Sequence, residues 1–452
     1  MSEKRNIVLI TLDSVRADHC SFMGYHRGTT PNIDRMARKG LYFENAIAPS
    51  VGTPASLSGI FTGNYSLVDA TETNPRNWRR EINRRKTLAQ VLSEKGYITG
   101  AFNPNAFVST HYGFNKGFSY FEDFLNSGEQ SSGSALRRLH AKIFDKVAKQ
   151  GRKGIFFTLR NFMMFLGKEE IFRGWESYYD LILKWISKVK VSNPFFLWVL
   201  IIDTHHPYLA PRRFRKYSNF FGMWYSNYKL QKVKWRNKLS PREKEWLVNS
   251  YDDSIRYADS FIGRLWNDLK NFDPIFIIHA DHGEGFCEHG LYGHVPFLYE
   301  EFIHVPLVIY NADVKGRIED PISLLGLAPT ILELIGEKNE FPSESFLHGG
   351  RDWVISKVFE GEKRKVAVRT KDWKFITGQK ERDELYYLKK DPYEQENVIN
   401  EYPELAKEMR RIVEIHVKQE MEKRRICEGI SRVKLNSEKI ELSVPSELKR
   451  RL

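Results

Sequence analysis

The chain has 452 residues, 41% of them hydrophobic, with 70 Lys and Arg against 57 Asp and Glu and a formal net charge of +13. That length and apolar content exclude a disordered or fibrous chain and leave room for a large core, built as two or three domains or as one large α/β domain with a subdomain. The positive balance favours anionic partners (phosphate or sulfate esters, nucleic acid, an anionic membrane surface) over neutral ones, unless it reflects only a Lys/Glu-rich solvated surface. Three cysteines, Cys20, Cys287 and Cys427, show no metal-ligand spacing and suit a reducing compartment. A strand within the first ten residues stands where a secretory leader would be, and the longest apolar runs are too short to cross a bilayer. The expectation is therefore a cytoplasmic protein.

In chain order, Asn6–Leu12 reads as a buried parallel strand ending at Asp13, with Arg16 close behind. In an open parallel sheet ligands gather beyond the carboxyl ends of strands, so Asp13 is a candidate metal ligand, or else caps the next turn. Thr30-Pro31 predicts a helix start with Thr30 as cap, running Ile33–Arg38 and stopping at Gly40. Ser50–Gly63 follows, a Gly/Pro/Ser/Thr turn leading into a helix, whose free N–H groups can face an anion. Thr53 at its mouth is either a nucleophile activated by a metal or a residue that caps the helix. Leu88–Lys95 predicts an amphipathic helix closed by Gly96, and Tyr97–Ala101 a short strand. This alternation points to a doubly wound α/β domain.

A Gly/Ser-rich loop near Asn126–Ser134 opens a helical, basic and aromatic stretch reaching Val191. Within it Ile155–Leu166 can lie on a lipid surface or simply cover core. Phe195–Ile202 predicts a buried strand running into Asp203-Thr-His205-His206-Pro-Tyr208. From Arg212 to Arg242 basic and aromatic residues interleave. Stacking and charge can bind single-stranded nucleic acid, but no nucleic-acid motif accompanies them and a substrate-facing or surface insertion is preferred. Pro241–Leu269 predicts a long helix, Pro274–Ala280 a strand ending in Asp281-His282-Gly-Glu, and Val305–Tyr310 a further strand, with His289 and His294 between. Asp13, Thr53, His205, Asp281, His282 and His294 thus all fall at strand ends or a helix start. Asp13, Thr53, Asp281 and His282 form an oxygen/nitrogen shell for one divalent ion. The imidazole favours Mn²⁺, Zn²⁺ or Mg²⁺ over Ca²⁺.

These motifs, NIVLITLDSVRADH, TTPNID, GTPASLSGIFTG, DTHHPY, DHGEGFCEHGLYGH, LLGLAPTILELIG and ELYYLKKDPYEQENVIN, resemble the sulfatase family of the alkaline phosphatase superfamily from about Asn6 to His416. The resemblance implies a doubly wound, mainly parallel sheet with helices on both faces plus a small C-terminal α+β subdomain. It also implies metal-dependent ester chemistry. Asp13 matches the first metal aspartate, Asp281-His282 the metal pair found as Asp-His in phosphoester relatives, Thr53 the nucleophile, and His205 and His294 positions that contact substrate oxygens. The sequence departs from sulfatases that use formylglycine. Thr53 replaces Cys or Ser, Ala55 and Leu57 replace Pro and Arg, and Ser14 replaces the second aspartate. Threonine cannot become that aldehyde, so a Thr53 hydroxyl attacking a phosphodiester, in a hydrolase or a transferase, is favoured. The alternatives are sulfuric ester hydrolysis without formylglycine, and an inactive binder of an anionic ligand. His205 and His294 would stabilise charge or protonate the leaving oxygen. Arg16 is a candidate anion binder or a surface ion pair. His206 and His289 are candidates for supporting residues or, with Asp203, for a second metal site. The partner is an anionic ester (glycan, lipid head group or small molecule). The expected organisation is residues 1–319 catalytic, with an insertion at about 126–250, then 320–416 as subdomain and 417–452 as a charged helical tail.

Overall fold

The computed structural model describes residues 4–125, 174–189, 193–232, 239–360, 363–378 and 382–443. Its main sheet has eight strands, β1 (Ile7–Leu12), β2 (Leu41–Phe43), β4 (Ile98–Phe102), β5 (Tyr120–Glu122), β6 (Phe195–Ile201), β7 (Ile275–Ala280), β11 (Leu307–Tyr310) and β12 (Gly316–Ile318), in the order β12-β2-β11-β7-β1-β6-β4-β5. All neighbours pair in parallel except at β11, which is antiparallel to both β2 and β7. Every residue of β1, β6 and β7 is buried, as expected of central strands covered on both faces. One group of packed helices contains Pro31–Lys39 and the 29-residue Pro241–Leu269. Another contains Thr53–Thr62, Leu88–Glu94 and Leu327–Leu334. Trp198 of β6 anchors the second layer, with its ring 4.6 Å from Phe61 and 5.8 Å from Phe118.

Short strands β3 (Ala46–Ile47), β10 (His304–Val305) and β13 (Ile322–Ser323) form a second sheet, and β8 (Gly285–Phe286) with β9 (Tyr292–Gly293) a ribbon beside the site. The C-terminal part is an antiparallel sheet of β14 (Trp353–Glu360), β15 (Lys363–Thr370), β16 (Trp373–Gly378) and β17 (Glu384–Tyr387). The helix Pro403–Ser443 packs on it through Ala406, Met409 and Val413. Among the described residues no helix is long and apolar enough to cross a membrane.

Three expectations change in three dimensions. Thr30 precedes its helix, but its hydroxyl bonds Asp34 (2.8 Å). The free N–H groups of Asn32 and Ile33 are capped instead by the Asp259 carboxylate from the long helix. The segment 126–250 is not a single insertion, because it contributes β6 to the middle of the sheet. The boundary at 416/417 falls inside one continuous helix. The apolar run Ile155–Leu166, with the lipid contact read from it, lies outside the described residues, as does 444–452.

Candidate active site and metal centre

Parallel strands deliver their C-terminal residues to one edge, and the site is built there. Asp13 follows β1, its N–H bonding the Ile201 carbonyl (3.0 Å) and its carbonyl accepting the Thr204 hydroxyl (2.6 Å) at the end of β6. Asp281 follows β7. Its Oδ1 accepts the N–H groups of Ser14 (3.1 Å) and His282 (3.0 Å). Ser14 reaches Asp281 by adopting φ 62, a left-handed conformation that costs a non-glycine residue about 1 kcal/mol or more. Tyr251 Oη holds the turn by donating to the Ser14 carbonyl (2.7 Å). Ser14 Oγ also donates to Asp13 Oδ1 (2.9 Å).

Ligand atoms of Asp13, Asp281 and His282 all lie within 4.8 Å of one another, and all three residues are buried. Burial, and next the neighbouring Asp13 charge, push the Asp281 carboxyl well above the usual carboxylate range, against its backbone hydrogen bonds. Asp281 Oδ2 accepts no hydrogen bond although it is fully buried. Two buried carboxylates side by side, one with an orphaned oxygen, are unfavourable until a cation joins them. His282 supplies the third donor. Its Nδ1–H donates to the Gly283 carbonyl (2.9 Å), and because a carbonyl only accepts, the Nε2 lone pair faces the cluster. Burial lowers its pKa and keeps it neutral. This donor set fits one divalent cation.

Thr53 is the first residue of its helix, not the cap. Gly52 occupies the cap position at φ 87, a conformation open to glycine. With Pro54 pre-set for the first turn and no side chain needed for capping, the Thr53 hydroxyl is free to face inward, 3.3 Å from His282 Nε2. All ten residues of the helix are buried, and Ser56 Oγ fixes it by donating to the Asp281 carbonyl (2.6 Å).

His205 and His294 come together beside this cluster. Their ring centres are 5.0 Å apart, and His294 is also 5.0 Å from His282. His205 Nδ1–H donates to the His206 carbonyl (2.7 Å), leaving Nε2 as its functional atom. His294 Nδ1 lies 3.5 Å from Glu284 Oε1, and the other Glu284 oxygen accepts the Tyr208 hydroxyl (2.8 Å). Burial would raise the Glu284 carboxyl, but the His294 and His205 imidazoles outweigh it and hold it down to about 2. His206 packs edge-on against Tyr208, and burial lowers its pKa to about 4, so it is neutral at pH 7.

Two candidates take other roles. The Arg16 guanidinium is bidentate to Asp18 (2.8 and 2.7 Å) and also bonds Glu288 (2.9 Å) and the Glu284 carbonyl (3.1 Å), so its donors serve the framework. His289 has both ring nitrogens engaged, by Glu301 (2.7 Å) and the Glu394 carbonyl (2.9 Å), and its ring stacks on Tyr299 at 3.6 Å. It ties this loop to the C-terminal part and offers no nitrogen to a metal. Two residues that the sequence reading did not single out do reach the site, Glu284 and Asn105. Glu284 sat inside the quoted DHGE motif. Asn105, whose Nδ2 donates to Asp13 Oδ2 (2.9 Å), carried no local signal beyond lying after a predicted strand.

The Sulfatase family model matches residues 5–337. An N-acetylglucosamine-6-O-sulfatase of Bacteroides thetaiotaomicron is 24% identical, covering 92% of this chain and 87% of its own length. An arylsulfatase of Clostridium perfringens is 25% identical, covering 91% and 94%. A solved complex with the substrate D-glucosamine-2-N,6-O-disulfate has a TM-score of 0.66 at 18% identity, covering 92% of this chain and 98% of its own. The phosphonate monoester hydrolase of Agrobacterium radiobacter has a TM-score of 0.65 at 17% identity, covering 92% and 96%.

Proposed function

Because the chain belongs to the sulfatase family of ester hydrolases, we propose that it cleaves monoanionic esters with Thr53 as nucleophile at a one-metal site, and that phosphodiester-type substrates are preferred. The observation carrying this is the Thr53 hydroxyl, 3.3 Å from His282 Nε2 at the N-terminus of a buried helix beside Asp13 and Asp281. The methyl group on its β-carbon means that oxidation would give a ketone, so the hydroxyl itself must attack.

A divalent ion held by Asp13, Asp281, His282 and Thr53 would lower the hydroxyl pKa and neutralise an ester oxygen. The protein's own groups do the rest. The helix N-terminus favours negative charge next to Thr53. The Thr53 hydroxyl gives up its proton to solvent as its oxygen attacks in line, and the bond to the leaving oxygen breaks. His294, held by Glu284, donates a proton to that oxygen, and His205 stabilises charge on the transferred group. Water then attacks the central atom of the Thr53 ester and passes a proton to the neutral His294, and the bond to Thr53 breaks, its oxygen taking up a proton from solvent to restore the hydroxyl. That last step favours phosphorus, since an ordinary alkyl sulfate lacks the second hydroxyl with which a formylglycine hydrate expels sulfate. The sulfated sugars in the relatives' names support a second reading, sulfuric ester hydrolysis of an anionic glycan by the same hydroxyl.

A paired rate assay on an aryl phosphate diester and an aryl sulfate, with the divalent metal varied, tests the proposal. Diester turnover is expected, falling roughly 10³-fold or more in Thr53→Ala. Faster sulfate turnover with the same loss favours the second reading. Failure to bind any divalent ion overturns both.

A further inference from the structure

Asn105 stands in the loop after β4, and β6 separates β4 from β1 in the sheet. Adjacent strands lie about 4.8 Å apart, so the loop must bend over the end of β6 to reach Asp13. It does so in a fixed shape. Asn105 N–H donates to Asn103 Oδ1 (2.9 Å), the Asn103 amide bonds the Val108 carbonyl, and Asn105 Oδ1 caps the following turn by accepting Phe107 N–H (3.0 Å). The side chain is nearly buried, and its orientation is unambiguous. Phe107 N–H can only donate and the Asp13 carboxylate only accepts, so the oxygen must face the former and Nδ2 the latter.

The backbone of Asp13 is already held at its N–H and at its carbonyl, by Ile201 of β6 and by the Thr204 hydroxyl just after it. Only the carboxylate can still rotate. Ser14 Oγ engages Oδ1, but it belongs to the adjacent residue and can follow a rotation. The bond from Asn105, 92 residues away in sequence, cannot. We infer that Asn105 is a positioning residue that sets the orientation of the Asp13 carboxylate for the divalent ion through its single Nδ2–H···Oδ2 bond. The inference rests on the metal site proposed above and is independent of which ester is cleaved.

Asn105→Ser in the full chain separates the two roles of the amide. Serine caps the Phe107 turn as well as asparagine does but is too short to reach Asp13. Calorimetric titration with Mn²⁺, repeated with Zn²⁺, is expected to show affinity falling about 10–100-fold, the usual cost of losing a group that orients a metal ligand. Losing one hydrogen bond to a buried carboxylate should lower the metal-free melting temperature less than Asn105→Ala does, and excess Mn²⁺ should restore turnover. Asn105→Ala, which also loses the cap, should weaken binding equally and lower the melting temperature further. Parent-like affinity in Asn105→Ser overturns the inference and leaves Asn105 a loop cap. A parent chain that binds neither ion overturns the metal site itself, a distinct result because it is read before any variant is made.

Discussion

Replacing His279 with glutamine should remove about 3 kcal/mol from the acid-induced loss of stability. His279 is fully buried in β7, opposite Thr11 of β1. Its Nδ1–H donates to the Ala280 carbonyl (2.9 Å). Trp198 Nε1–H can only donate and bonds Thr11 Oγ1 (3.0 Å), so the Thr11 hydroxyl turns its own proton to His279 Nε2 (2.9 Å). The neutral ring is completely satisfied, and a second proton would strand the Thr11 hydroxyl hydrogen. Burial accordingly lowers the His279 pKa from 6.5 to about 4. The unfolded chain binds the proton more tightly than the folded one. This contribution is therefore intact above about pH 6.5 and is lost as pH falls to about 4. The fall from 6.5 to about 4, converted at about 1.36 kcal/mol per pH unit, gives roughly 3 kcal/mol. Urea unfolding of the metal-free protein at pH 7 and pH 4 measures the difference. Other titrating groups are common to parent and His279→Gln and cancel. An equal pH-dependent loss in both proteins refutes the reasoning.

Gly283→Ala should destabilise the site loop by about 3 kcal/mol or more, because a β-carbon there would sit 2.0 Å from the Glu301 carbonyl oxygen, a backbone atom that cannot move aside; thermal melting checks this. Lys374→Met should cost about 3–5 kcal/mol in urea unfolding, since it leaves Glu300 (3.1 Å) and Glu394 (2.9 Å) as buried carboxylates without their shared cation. Glu284→Gln should slow hydrolysis of alkyl esters about 10²-fold or more while sparing aryl esters, whose leaving oxygens need little proton donation from His294; kcat measured across leaving groups decides.

Much of the site could be read from the chain because buried parallel strands announce themselves as unbroken apolar runs. Asn6–Leu12 and Pro274–Ala280 lead directly into Asp13 and Asp281-His282, Phe195–Ile202 leads into Asp203 with His205 two residues on, and the rule that ligands gather at strand ends makes these the candidates. Partner choice was harder to read. Arg16 and His289 look like ligand-binding residues in sequence, yet both are taken up by carboxylates and carbonyls, nearby Asp18 and distant Glu288 for one and Glu301 and Glu394 for the other. Thr30 likewise loses its capping role to Asp259, more than 200 residues away.

Residue type and position at strand ends or a helix start indicated the α/β class and, with the family resemblance, the nucleophile candidate Thr53 and the candidate ligands Asp13, Asp281 and His282, because these follow from local periodicity and from chemistry carried by single side chains. The left-handed turn at Ser14, the cap at Gly52, the hold of Glu284 on His294 and the reach of Asn105 over β6 were decided only by the tertiary structure. Each depends on two segments meeting in space. A hydrogen bond across that distance leaves no periodic trace in either segment, and a buried polar group takes whichever partner the packed sheet brings within about 3 Å.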